Sequence, residues 1–99
     1  MTTISYIRTG GIPGQELTAN FELENMRASD AERLHSLIHE SKFFEIPALD
    51  VKPDGPDEFA YTITIISGNE IHTIRATDSL MPRSLRPLIE DLTELAVTS

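Results

Sequence analysis

Apolar and polar positions alternate along several stretches of the chain and recur at three- and four-residue spacing along two others. Leu17, Ala19, Phe21 and Leu23 alternate with Thr18, Asn20, Glu22 and Glu24, the period of a strand with one wet face. Phe59, Tyr61, Ile63 and Ile65 alternate in the same way with Ala60, Thr62 and Thr64, and Ser67-Gly68-Asn69-Glu70 then turns the chain into Ile71-His72-Thr73-Ile74-Arg75. His72 in that second run reads as a wet-face residue rather than a general base. A β-branched and aromatic run, Ile4-Ser5-Tyr6-Ile7-Arg8-Thr9, opens the chain and stops at Gly10-Gly11. Its link to the Leu17 strand, Gly10-Gly11-Ile12-Pro13-Gly14, is longer than the tightest turns, which predicts a hairpin with an exposed, defined loop.

The helical pattern appears twice. Ser29-Asp30-Ala31-Glu32 reads as a capping box, followed by Leu34, Leu37, Ile38 and Ser41 on one stripe, so a helix is expected from about Asp30 to Ser41. Phe43, Phe44 and Ile46 then concentrate apolar bulk before Pro47, where a short turn would plug the end of the core. A last helix is predicted from Leu85, Leu88, Ile89, Leu92 and Leu95, with Asp78 or Ser79 as cap and Pro82 near the first turn. Pro87 either sharpens its start or kinks it.

The order strand, strand, helix occurs twice, in halves of about 1–48 and 57–97 joined by an acidic loop rich in Pro and Gly. Neither half buries its own apolar face, whereas two together make one domain over 1–99. The expected fold is α+β: a two-layer ββαββα sandwich, with a four-stranded antiparallel sheet and both helices on one face.

Composition narrows the function. Eight Lys and Arg against 16 Asp and Glu give a net charge of −8, which repels a phosphate backbone and argues against nucleic acid. With no cysteine, thiolate metal sites and cysteine nucleophiles are absent. The opening residues lack a signal-peptide pattern and no long apolar run occurs, so a cytoplasmic protein without membrane contact is expected, with a monomer favoured.

Candidate chemistry is sparse. Glu32, His35 and His39 fall near one helical strip, but without HExxH order or a further ligand the better reading is a solvated flank, and folding is not expected to depend on a metal. Asp50, Asp54, Asp57 and Glu58 do not follow calcium-loop spacing. The glycine-rich loop lacks a phosphate-binding lysine and precedes a strand instead of a helix. No serine sits in a nucleophile elbow. The residues therefore describe a non-enzymatic scaffold that takes no cofactor.

Arg8-Thr9-Gly10-Gly11-Ile12, Phe43-Phe44-Glu45-Ile46-Pro47-Ala48, the alternation from Phe59 to Ile65, Ile71-His72-Thr73-Ile74-Arg75, Asp78 and Pro82-x-x-Leu85-Arg86-Pro87-Leu88 together resemble the emfourin family over nearly the whole chain. The resemblance implies a small protein inhibitor of thermolysin-like zinc metallopeptidases, with the peptidase as partner. An inhibitor of a cleft needs a preorganised exposed segment with an apolar anchor. Gly10, Gly11, Ile12, Pro13 and Gly14 fit that need, with Ile12 as anchor and Leu17 assisting if it points outward. On this reading Gly11→Val distorts the loop and, if the loop is solvent-exposed in the free protein, leaves the melting temperature nearly unaltered. The acidic loop adds a carboxylate near the zinc or, the better reading, raises solubility. The alternative function is an acidic protein-interaction module with another partner.

Overall fold

The computed structural model describes residues 1–11, 16–48, 51, 55 and 57–98. The alternating runs form four strands: β1 (Thr2–Gly10), β2 (Leu17–Glu22), β3 (Phe59–Ser67) and β4 (Glu70–Thr77). They make one antiparallel sheet in the order β2-β1-β3-β4, so the two hairpins meet along β1 and β3. Gly68, with φ of 60°, takes the first central position of the tight β3–β4 turn, where a left-handed backbone is required.

Register sorts the side chains onto two faces. Ile4 lies opposite Phe21 and Ile65, Tyr6 opposite Ala19 and Ile63, and Ile74 opposite Ile63. This apolar face carries both helices, α1 (Ala28–Ser41) and α2 (Arg86–Thr98). Leu34 of α1 and Leu88, Ile89, Leu92 and Ala96 of α2 join the sheet residues in one buried cluster. Phe43, on a 3-10 turn at Phe43–Glu45, is buried in the same cluster, and so is Leu23, on another at Leu23–Asn25. Leu23 thus continues the apolar pattern of β2 after the strand itself has ended.

The opposite face is threonine-rich, with the Thr64 and Thr73 hydroxyls bonded to each other at 2.8 Å. It leaves Ile66 and its cross-strand neighbour Ile71 exposed. Arg33 ties the helices together, reaching Asp30 within α1 and Asp91 on α2 at 2.9 and 2.8 Å. Among the described residues no helix is long and apolar enough to cross a membrane.

Three local expectations are corrected. The capping box does not form: after two residues of extended backbone, Met26 and Arg27, α1 starts at Ala28 with Arg27 as N-cap and no side-chain cap bond, one residue ahead of Ser29. Ser29 and Asp30 therefore lie inside the first turn, where Asp30 still complements the helix dipole. Asp78 and Ser79 cap nothing in α2, which follows a 3-10 turn at Arg83–Leu85; Pro87, its second residue, sharpens the start where no helical donor is lost. His72 is not on the wet face. Opposite Ile65, it points inward, where Nε2 meets the Ile46 carbonyl at 2.6 Å and the ring packs edge-on against Phe43.

Leu92→Ala should lower the unfolding free energy by about 2–5 kcal/mol, the usual range for a cavity in a closed core. Val97→Ala, one turn on but exposed, should change it by less than about 0.5 kcal/mol. Urea titration of both variants measures the contrast, and equal midpoints would sink this core assignment.

Candidate functional site

The end of the sheet that carries the β1–β2 loop is where the sequence places binding residues. Gly10 lies opposite Phe59, and Leu17 opposite Arg8, so the root of the loop, the start of β3 and the end of β4 converge there. Gly10 and Gly11 have φ of 90° and 74°, in the left-handed region that side chains rarely adopt. A Cβ on Gly10 would come within 2.5 Å of the Glu58 carbonyl oxygen, and one on Gly11 would collide with Cε1 of the Phe59 ring. Two glycines are needed for two reasons at once: backbone handedness at both, and the space taken by the Glu58 carbonyl at Gly10 and by the Phe59 ring at Gly11.

Phe59 is itself held. Its N–H donates to Asp78 Oδ2 at 2.9 Å, and its carbonyl accepts from the Asp78 N–H at 3.2 Å. Tyr61 donates its hydroxyl to Asp78 Oδ1, and Arg86 Nη2 reaches the Asp78 carbonyl. The N–H of Ser79 donates to Glu58 Oε1 at 2.6 Å. Asp78, whose pattern suggested a helix cap, is instead the pin that joins the start of β3 to the end of β4. Burial, then the hydrogen bond to the Asp78 carboxylate, push the Tyr61 phenol well above the usual tyrosine range. Burial also raises Tyr6, whose hydroxyl bonds to that of Thr93 on α2 at 2.6 Å.

Of the six candidate binding residues, Gly10 and Gly11 stand at this root. Ile12, Pro13 and Gly14 lie outside the described residues. Leu17 is half-buried and packs against the core, on the inner face opposite Arg8. Sequence reasoning missed Phe59 and Asp78 as the support beneath the glycines; the signal available was two adjacent glycines followed by no helix.

Elsewhere, an open groove of about 420 Å³ runs beside α2, with Tyr61, Met81, Ile89 and Val97 on its apolar walls and Arg86 and Glu90 among its polar ones. Glu32, His35 and His39 are all exposed, and among the described residues no cluster of three or more His, Cys, Asp or Glu is placed to hold a metal ion.

The fold is thus that of a small α+β protein with one braced loop root. Residues 6–93 match the emfourin family, and the chain belongs to it. Among curated proteins, none matches the chain.

Two outcomes test this site. Gly11 is buried against Phe59, so the exposure on which an unaltered melting temperature depended is not met there, and Gly11→Val should lower the melting temperature by several degrees. A calorimetric melt within a degree of wild type would show that the ring gives way freely. The raised Tyr61 phenol holds its proton more tightly in the folded state, so its contribution is complete below the ordinary tyrosine value near ~10 and is lost as pH rises from there towards the folded value. Tyr61→Phe should flatten the alkaline fall in stability, measured by denaturant midpoints across that pH window; an unchanged slope would assign the fall to other groups.

Proposed function

We propose that this protein inhibits a thermolysin-like zinc metallopeptidase by occluding its cleft with the loop between β1 and β2. Family membership supports the inhibitor class, and one observation carries the choice of loop. The two left-handed glycines at its root are fixed against Phe59, which Asp78 in turn bonds through both its N–H and its carbonyl. A segment fixed at its base loses less freedom on binding, so more of the contact energy appears as affinity. Ile12 is the apolar anchor, and Pro13 restricts the backbone beside it. Leu17 supports the loop from within the core instead of contacting the peptidase. The target binds as a protein partner, and the chain performs no catalysis of its own.

Ile12→Asp should weaken inhibition by about 2 kcal/mol or more, by removing an apolar anchor and burying a charge, with the melting temperature nearly unchanged. Wild type and variant are titrated against the thermolysin-like peptidase of the same organism while peptide hydrolysis is followed. Equal potency would move the contact surface away from the loop. Absence of inhibition by the wild type would favour the acidic interaction module.

A further inference from the structure

Arg8 stands on the inner face of the sheet, between Leu17 of β2 and Tyr61 of β3 and in line with Ile4 and Tyr6. A guanidinium carries five donors and a permanent charge, so in such a place it is ordinarily paired with a carboxylate. Among the described residues its donors meet no acceptor. Its close partner is the face of Phe59, with Cζ 4.2 Å from the ring centroid, and Nε is shut off from solvent with no hydrogen bond. Nearby carboxylates are committed elsewhere: Asp78 to the Phe59 N–H and the Tyr61 hydroxyl, Glu58 to the Ser79 N–H.

We propose that Arg8 is a carboxylate-binding site at the root of the β1–β2 loop, and that it receives an Asp or Glu side chain of the protein partner. The naming of that partner as a metallopeptidase rests on the inhibitor reading above. Stacking on Phe59 holds the planar fork in one orientation, the condition for two parallel N–H to oxygen bonds with a carboxylate. The ring that carries Arg8 also packs against Gly11, so the cation and the loop root are set by one side chain and reach a partner together. Arg8 remains partly exposed, which gives a carboxylate a way in. Because the net charge of −8 repels an acidic surface, an acidic rim can be engaged only where a cation is offered locally, and Arg8 offers it beside the anchor loop.

Two variants and one titration test this. Arg8→Met keeps the stem over Phe59 without the charge, and Arg8→Lys keeps the charge without the fork. Both should raise the inhibition constant about tenfold or more, as expected for a lost charged hydrogen bond, and added salt should weaken wild-type inhibition more steeply than that of Arg8→Met. Full potency in Arg8→Met would overturn the proposal. Independently of any peptidase, acetate added to the isotope-labelled wild type should shift the Arg8 Nε–H resonance in a saturable way while other arginine signals stay in place. If the wild type inhibits nothing, the inhibitor reading fails by itself and this titration decides Arg8: an Nε–H signal that does not respond to acetate overturns the site.

Discussion

The antiparallel pairing of β1 with β3, from Thr2 opposite Ser67 to Gly10 opposite Phe59, is the constraint on which the rest of the molecule depends. It is the seam between two hairpins that otherwise share no strand, and its register fixes which side chains of all four strands face the helices. A slip of one residue would set Ile4 and Tyr6 on the same face as Thr62 and Thr64, so that one of the two strands turned its apolar side chains to solvent, and the apolar pattern makes the observed register hard to leave. The same seam ends at Gly10, where it delivers the loop root onto Phe59.

Burial of one sheet face under two helices supplies the driving force, at roughly 1.5–3 kcal/mol for each large apolar side chain taken out of water. Several polar groups that enter this layer are matched, Tyr6 with Thr93, His72 with the Ile46 carbonyl and Ser41 with the Ile38 carbonyl, whereas Arg8 Nε is not. The exposed bridge from Arg33 to Asp30 and Asp91 does more for the alignment of α1 and α2 than for stability, since solvent screens such pairs.

At the loop end of the sheet the balance changes from packing to positioning. Phe59 faces three demands: it fills space that only glycine leaves open, it carries the Arg8 cation on its face, and its backbone is pinned by Asp78. Such concentration of constraints around an otherwise simple hairpin is what the proposed inhibitor role would ask of the loop root.

Much of this fold is written in local pattern. Alternation in β2 and β3, the helical stripes through Leu34 and Leu88, the turn at Gly68 and the Phe43 plug follow from periods of two and 3.6 and from turn chemistry, which act between near neighbours. The run Ile71-His72-Thr73-Ile74 could not be sorted this way. Its two isoleucines are three apart and so lie on opposite faces of a strand, and only the pairing of Ile63 with Ile74 decides that Ile71 is exposed and His72 enclosed. Ser29 and Asp78 are good cap residues in isolation, yet the geometry with which the chain enters each helix gave the first no cap role and the second a place bridging β3 and β4. Sequence by itself determined the elements, the apolar faces and the family resemblance. Tertiary structure alone decided strand order and the meeting of Arg8, Gly11 and Phe59, which depend on contacts between residues some 50 positions or more apart, and the inward turn of His72, which depends on strand register; no local period encodes either.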